Sequence, residues 1–274
     1  MDLALVIPAA GRATRLLPET QNAPKGMLLL ANRPVLECVI DVGMQLPIAR
    51  IVLITGDHGQ IIREHFGTSY CGVPIIYVTQ KEQKGLAHAV SLAEAHVRDL
   101  MLVINGDELY LNSRHSEMLR LLKKKPLDGV VGFLRTSNPD LIRGTYGMDL
   151  AEDGKVTRVV EKPSAPWNDV LGVGTWLLNC DFFHYFGRTP IHRVRLERDF
   201  VAVIQQMVDD GKAIYGMDLH GDYFNINTAE DKQKAELALT RQRFLSAESV
   251  NGSLSPHRIS LNVARASDGR RSKF

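Results

Sequence analysis

The first 135 residues alternate short runs of β-branched and aliphatic residues with longer segments of helical periodicity. The apolar runs predict strands at 3–8, Arg50–Thr55, Pro74–Thr79, Leu100–Asn105 and Gly129–Leu134. The segments between them predict helices at 34–46, 58–66, 85–98 and 113–124. Nearly continuous apolar strands that alternate with helices are typical of parallel sheets covered on both faces. This part of the chain is therefore expected to form an α/β fold with a Rossmann-like, mostly parallel sheet and helices on both faces.

The pattern changes after residue 135. Two strands, Tyr146–Ala151 and Lys155–Glu161, are predicted on either side of the turn Glu152-Asp153-Gly154. The periodicity beyond them predicts a strand, a helix, two short strands and a last helix at 171–179, 197–210, 213–218, 222–226 and 228–245. Because no linker-like stretch intervenes, we expect one domain over 1–245, in which 136–245 is an α+β elaboration on the sheet of 1–135.

Residues 246–274 are rich in Ser, Asn, Gly and Arg and show no periodicity. Such a composition predicts a flexible tail. The tail carries a small basic cluster, Arg265, Arg270, Arg271 and Lys273. A solvated terminus explains the cluster, and a binding element is the alternative.

Composition and charge exclude several classes of protein. The 33 basic and 31 acidic residues give a formal net charge of +2, without the basic excess of a nucleic-acid-binding domain. The three cysteines are far apart and lack metal-ligand spacing, which favours reduced thiols. The apolar runs are too short for a membrane span or a signal segment. We therefore expect a cytoplasmic protein with neither nucleic-acid nor membrane partners.

Small residues follow the first predicted strand, in the sequence Pro8-Ala9-Ala10-Gly11. A backbone of small residues can approach a ligand closely, and its successive N–H groups can bind an anion beyond the strand's carboxyl end. Arg15 and Lys25 could neutralise a triphosphate from two sides. The loop is neither a GxGxxG motif nor a P-loop, so a flexible strand–helix turn remains the alternative.

Two other strand ends carry candidate ligand-binding side chains. Gln80 is followed by Gly85, and its amide offers the donor and the acceptor needed to read a pyrimidine edge. An ordinary surface glutamine is the alternative, and His88 nearby is interpreted as a helix residue. Asp107 follows a buried strand and a glycine, a place suited to a carboxylate ligand of Mg²⁺. The alternative for Asp107 is a cap of the next helix.

The stretch 5–34, LVIPAAGRATRLLPETQNAPKGMLLLANRP, resembles the N-terminal signature of the sugar-1-phosphate nucleotidyltransferases. That signature is a G-x-G-T-R loop followed by a proline, a P-K pair and a K-P pair. The sequence of this stretch is most similar to that of the bacterial UTP–glucose-1-phosphate uridylyltransferases. The resemblance implies that Ala10, Gly11 and Thr14 bind the triphosphate. It also implies that Arg15 and Lys25 stabilise charge at the α-phosphate. Ala13 stands where the family usually has glycine.

Later segments resemble further motifs of the same family. Gln80 and Gly85 match its Q…GxxxA segment, which implies contacts with the base, and Asp107 matches its G-D metal motif. Four residues in the Y-G, V-E-K-P and following motifs are implied to contact the sugar phosphate: Gly147, Glu161, Lys162 and Val173. Among these, Glu161 would accept hydrogen bonds from sugar hydroxyls and Lys162 would bind the phosphate.

One motif departs from the family pattern. Where the family has W-x-D-x-G-T, this chain reads Tyr223-Phe224-Asn225-Ile226-Asn227-Thr228. Asn225 stands in place of the aspartate that is the second metal ligand, and Asn227 in place of the glycine. An amide oxygen can still ligate Mg²⁺ but carries no charge, so we expect a lower metal affinity.

The expected reaction joins a nucleoside triphosphate to a sugar 1-phosphate, with Mg²⁺ as cofactor, and releases pyrophosphate. The resemblance favours UTP or dTTP, glucose 1-phosphate and a homo-oligomer. The alternative is a catalytically weakened sugar-nucleotide-binding or regulatory protein, which the Ala13 and Asn225 departures motivate. A glycosyltransferase would carry a D-x-D-like metal motif, and Gly106-Asp107-Glu108-Leu109 is not one.

Overall fold

The computed structural model describes residues 1–11 and 24–251, with the side chains of the last helix described up to Phe244. The strands in chain order are β1 (Leu3–Ala9), β2 (Leu29–Leu30), β3 (Arg33–Pro34), β4 (Arg50–Thr55), β5 (Ser69–Tyr70), β6 (Val73–Thr79), β7 (Leu100–Ile104), β8 (Glu108–Leu111), β9 (Gly129–Arg135), β10 (Tyr146–Leu150), β11 (Val156–Glu161), β12 (Val170–Asn179), β13 (Ile214–Asp218) and β14 (Asp222–Asn225). The α-helices are α1 (Val35–Gly43), α2 (Gly59–Phe66), α3 (Gly85–Ser91), α4 (His115–Lys124), α5 (Pro139–Gly144), α6 (Asp181–Arg188), α7 (Phe200–Asp209) and α8 (Ala229–Asn251). Short 3-10 helices lie at Lys25–Met27 and Glu94–His96.

A ten-stranded sheet forms the centre of the fold. Its main order is β11-β10-β12-β7-β1-β4-β6-β5, and β9 joins β12 to β13. The strands β7, β1, β4 and β6 run parallel to their neighbours within this set. Antiparallel pairing begins where β12 meets β7. The predicted α/β fold with a mostly parallel first half and a mixed elaboration is confirmed.

Side chains of each central strand alternate between two buried layers. Leu3, Leu5 and Ile7 belong to one apolar cluster, whereas Ala4 and Val6 belong to the other. This is the two-residue period of a strand that is covered on both faces. The first cluster also takes in residues of α1, α2, α4 and α8, and the second takes in residues of α3, α6 and α7. The helices therefore cover both faces of the sheet, as the pattern predicts.

The ribbon of β8 and β14 was not predicted as a pair. The two strands are antiparallel, and Asn225 lies opposite Glu108. The segment after Asp107 is thus a strand, and the next helix begins only at His115. The alternative interpretation of Asp107 as a helix cap is therefore wrong.

Smaller differences concern the helices. The predicted helix 85–98 ends at Ser91, and the predicted helix 197–210 begins at Phe200. Helices α5 and α6 were not predicted. Helix α8 extends past the predicted tail boundary, to Asn251. Within the described part of the chain, no helix is both long and apolar enough to cross a membrane.

Candidate active site

Three loops meet beyond the carboxyl ends of the parallel strands β1, β6 and β7. They enclose a cavity of about 290 Å³, called here the nucleotide cavity. Six of the predicted site residues line it: Ala10, Gly11, Lys25, Gln80, Gly85 and Asp107. Ligands of open α/β sheets bind at this edge. The predicted residues Thr14 and Arg15, like Ala13, lie outside the described residues.

Lys25 and Asp107 form an ion pair in the nucleotide cavity. Lys25 Nζ lies 2.5 Å from Asp107 Oδ2 and 3.0 Å from Asn227 Oδ1. The Lys25 side chain is 13% exposed and that of Asp107 33% exposed, so the pair is screened less than a surface ion pair. The predicted catalytic cation thus contacts the predicted metal ligand directly.

Two asparagines extend this contact. Asn227 Nδ2 donates a hydrogen bond of 2.7 Å to Asn225 Oδ1. The backbone N–H groups of Asn227 and Thr228 donate to Asp231 Oδ2 at 3.1 Å and 2.9 Å, and the Asp231 N–H in turn donates to Thr228 Oγ1 at 3.1 Å. This reciprocal cap at the start of α8 holds Asn227 against Lys25.

The backbone around Asp107 is hydrogen-bonded to the segment that follows Asn225. The backbone N–H of Ile226 donates to the carbonyl of Asp107 at 3.0 Å, which brings the two strand ends together. Among the described residues, no group of three or more His, Cys, Asp or Glu side chains could hold a metal. One carboxylate and one amide oxygen nevertheless fit Mg²⁺, which proteins often bind through one or two carboxylates and the substrate's phosphates.

Gln80 is buried at the rim of the nucleotide cavity, with 3% of its surface exposed. Its Nε2 donates to the carbonyl of Gly85 at 3.2 Å and lies 3.0 Å from His88 Nδ1. Gly85 itself has a φ of +83°, and a Cβ there would lie 2.2 Å from Glu197 Oε2. Any other residue would therefore be strained in backbone at this position, and its Cβ would require the Glu197 side chain to move.

A second cavity of about 260 Å³, called here the sugar cavity, adjoins the first. Leu86 and Asn105 line both. Glu161, Lys162 and Asn225 line the sugar cavity, and Lys162 Nζ lies 3.5 Å from Glu161 Oε1. Burial raises the pKa of Glu161, and the neighbouring Lys162 opposes this shift.

The two other predicted sugar-site residues do not line the sugar cavity. Gly147 packs under Trp167, since a Cβ there would lie 3.2 Å from the indole ring. Val173 is fully buried in the core, and its carbonyl accepts a hydrogen bond of 3.0 Å from the Tyr146 hydroxyl. Its neighbours Gly172 and Gly174 line the cavity instead.

Glu108 at the floor of the sugar cavity was not among the predicted site residues. It accepts hydrogen bonds from the Tyr110 hydroxyl at 2.5 Å, the Gly174 N–H at 2.8 Å and Asn105 Nδ2 at 2.9 Å. Burial, followed by the charge of Asp107, raises the pKa of Glu108 to about 7. The one feature of the sequence that could have indicated Glu108 as a site residue is its place directly after Asp107, the predicted metal ligand.

The loop between α6 and α7 supplies further lining residues that no motif indicated. Glu197, Arg198 and Asp199 line the sugar cavity. Arg195 pairs with Asp199 and lies 3.8 Å from Glu197. The loop adds charges of both signs opposite Glu161 and Lys162.

A loop of small residues at a strand end, an ion-paired lysine and an adjoining polar cavity suit the transfer of a phosphate-bearing group. The chain belongs to the nucleotidyl transferase family, whose model matches residues 4–237.

Relatives of known name extend over almost the same length. The chain is 29% identical to the UTP–glucose-1-phosphate uridylyltransferase AglF of Haloferax volcanii, over 89% of this chain and 99% of the relative. It is 28% identical to a putative UTP–glucose-1-phosphate uridylyltransferase of Methanocaldococcus jannaschii, over 87% and 93% of the two chains.

Solved structures agree with the fold. A UDP-glucose pyrophosphorylase complexed with UDP-glucose superposes with a TM-score of 0.79 at 23% identity, over 88% of this chain and 100% of that one. A putative glucose-1-phosphate thymidylyltransferase from Bacillus anthracis gives a TM-score of 0.78 at 22% identity, over 86% and 94%. The nucleotidyltransferase fold is thereby confirmed.

Proposed function

We propose that this chain joins a nucleoside triphosphate to a sugar 1-phosphate, forming a nucleoside diphosphate sugar and pyrophosphate. The observation that carries the proposal is the continuity of the two cavities. Lys25 lines the nucleotide cavity, Asn225 lines the sugar cavity, and Asn227 contacts both side chains. A triphosphate and a sugar phosphate bound in the two cavities would meet beside the Lys25 ammonium.

The reaction is an in-line attack by an oxygen of the sugar phosphate on the α-phosphorus of the triphosphate. Phosphoryl-type transfers depend on positioning and charge neutralisation more than on covalent chemistry. Lys25 would stabilise the negative charge of the transferring phosphate, and Lys162 would hold the attacking phosphate. Glu161 would accept hydrogen bonds from sugar hydroxyls. Arg15 is assigned to the triphosphate by resemblance alone.

Asp107 and Asn225 would hold Mg²⁺, which supplies charge neutralisation at the phosphate oxygens when bound. Lys25 Nζ also contacts Asp107 Oδ2 and Asn227 Oδ1. The phosphates of a bound nucleotide would therefore compete with Asp107 for the Lys25 ammonium, and Asn227 would be its neutral second acceptor.

The proposed substrates are UTP or dTTP and glucose 1-phosphate. The names of the relatives and the presence of Gln80 in the nucleotide cavity support this choice. A cytoplasmic homo-oligomer remains a prediction, which light scattering and cell fractionation would test.

A pyrophosphate-release assay over a panel of triphosphates and sugar phosphates, at several Mg²⁺ concentrations, tests the proposal. We expect turnover with UTP or dTTP and a hexose 1-phosphate, and none without the sugar phosphate. Nucleotide binding without turnover across the whole panel would refute the enzyme and support the regulatory alternative.

A further inference from the structure

The Gln80 side chain is buried directly after the end of β6. The Gln80 backbone N–H donates to the Thr55 carbonyl at 2.8 Å, and only 3% of the residue is exposed. A buried amide must satisfy its hydrogen bonds within a fixed environment. The side chain nevertheless lines the nucleotide cavity, so one of its polar groups can meet a ligand.

The Gly85 carbonyl determines which end of the Gln80 amide, the nitrogen or the oxygen, faces the start of α3. A carbonyl oxygen can only accept, so the atom 3.2 Å away must be the Gln80 nitrogen rather than its oxygen. With the opposite orientation, two oxygens would face each other at this distance. The Gln80 Nε2 therefore points toward the start of α3.

His88 engages the second hydrogen of the same nitrogen. The Gln80 Nε2 lies 3.0 Å from His88 Nδ1, and because Nε2 is only a donor, Nδ1 must be the unprotonated acceptor. His88 is on α3, one turn after Gly85, so both partners reach Gln80 from one side of the helix. Burial and then the charge of Lys84 lower the pKa of His88, which favours the neutral imidazole that this contact needs.

With both amide hydrogens engaged, the Gln80 carbonyl oxygen is the group left to meet a bound base. We infer that His88 is a positioning residue for base recognition, which holds Gln80 so that it presents an acceptor to the nucleotide cavity. The cavity then selects a pyrimidine whose N3 carries a hydrogen, uracil or thymine, over cytosine. This inference rests on the proposed function only in requiring that a nucleotide occupies this cavity.

The selection follows from the hydrogen-bonding edges of the pyrimidines. Uracil and thymine carry a hydrogen on N3, which can donate to the Gln80 oxygen. Cytosine has a lone pair on N3, so two acceptors would face each other. Binding of cytosine would leave the Gln80 oxygen and the cytosine N3 without a hydrogen between them, which costs about 1–3 kcal/mol of binding free energy. This cost corresponds to about tenfold to hundredfold in affinity.

Calorimetric binding of UTP and of CTP, with Mg²⁺ and no sugar phosphate, tests the inference. We expect the unaltered protein to bind UTP at least about tenfold more tightly than CTP. The His88→Ala substitution should lower this ratio of UTP affinity to CTP affinity by about tenfold. His88→Asn should keep most of the preference, because its amide oxygen can replace Nδ1 as an acceptor. Ser91→Ala, which removes a hydroxyl bonded to the His88 carbonyl on the same helix, is the matched control and should keep the ratio.

A double-mutant cycle separates positioning from a general structural role. If His88 acts through Gln80, then His88→Ala should not lower the ratio further in a Gln80→Ala background. An unchanged UTP to CTP ratio in His88→Ala would overturn the inference, as would independent, additive losses in the cycle. A protein that binds UTP selectively through His88 but releases no pyrophosphate would refute the proposed reaction and leave this inference standing.

Discussion

His115 is a fully buried histidine at the start of α4. Its Nδ1 lies 2.8 Å from Ser113 Oγ and its Nε2 lies 3.2 Å from Thr175 Oγ1. The Thr175 hydroxyl donates its hydrogen to the Tyr110 oxygen, so it can only accept from His115. His115 is therefore the neutral tautomer that carries its hydrogen on Nε2. Burial lowers the pKa of His115 from 6.5 to about 3. The folded protein therefore keeps this imidazole neutral at pH values where the unfolded chain protonates it.

The difference between the folded and unfolded pKa of His115 makes the stability of the protein depend on pH. Below pH 6.5 the unfolded state binds the proton and the folded state does not, so His115 makes the protein less stable as the pH falls toward 3. A pH of 5 is about 1.5 units below the unfolded pKa, which at about 1.36 kcal/mol per unit is a loss of about 2 kcal/mol. The folded imidazole is still neutral at that pH, so the loss depends little on the folded pKa itself.

Glu108 acts in the opposite direction over the same range. Its folded pKa of about 7 lies above its usual value of 4.5, so the folded state takes up a proton first and gains stability as the pH falls. The two groups offset each other in the unaltered protein. The contribution of His115 is therefore visible only as a difference between variants.

The assay is urea unfolding of the unaltered protein and of His115→Phe at about pH 7.5 and about pH 5. We expect the variant's deficit in unfolding free energy to shrink by about 2 kcal/mol at the lower pH, because phenylalanine cannot be protonated. His58→Phe, at an exposed position, is the control and should show no such change. An equal deficit of His115→Phe at both pH values would refute the reasoning.

Three further predictions concern the cavities. Lys25→Ala should lower turnover by about 10²–10³, the effect of losing one preorganised electrostatic contact, and near-normal pyrophosphate release would contradict its role. Asn225→Asp should raise metal affinity at least about tenfold, because it adds a charge beside a single carboxylate. Electron paramagnetic resonance of Mn²⁺ binding without substrates measures this, and an unchanged affinity would argue against Asn225 as a ligand. Gly174→Ala should cost about 1–3 kcal/mol of stability in urea unfolding, since its Cβ would lie 2.1 Å from Asn105 Nδ2. Gly187→Ala, which meets nothing within 4 Å, is its control, and equal losses would contradict the packing argument.

The parallel strands were predictable because each is buried on both faces. The run Arg50–Thr55 has four apolar residues, Ile51–Ile54, between two polar ones, and the structure has the strand at the same bounds. The strand Glu108–Leu111 was not predictable in this way. Its four residues are a strand because Asp222–Asn225 pairs with them, and that partner is more than a hundred residues away in the chain. Local patterns do not contain such pairings.

The site was predictable where a motif lies on a loop and less so where it lies on a strand. Gly11, Gln80 and Asp107 all follow strand ends, which a parallel sheet gathers at one edge. In the segment Gly172–Thr175 the two-residue period puts neighbours on opposite faces, and a motif alone does not say which face meets the cavity. This is why Val173 was chosen where the structure has Gly172 and Gly174 at the cavity wall.

The two asparagines of the last strand and its following loop show what a departure from a motif can and cannot indicate. The loss of a charge at Asn225 is readable from sequence, but the contact of Asn227 with Lys25 is not, because the family's glycine has no side chain there. Lys25 is balanced by one carboxylate, Asp107, and by a neutral amide oxygen. Asp107 and Asn225 would hold a divalent ion with a single negative charge, and the Lys25 ammonium would compete with that ion for the Asp107 carboxylate. We therefore expect the affinity of this site for Mg²⁺ to be low without the triphosphate, whose oxygens would supply the negative charge that Asn225 lacks.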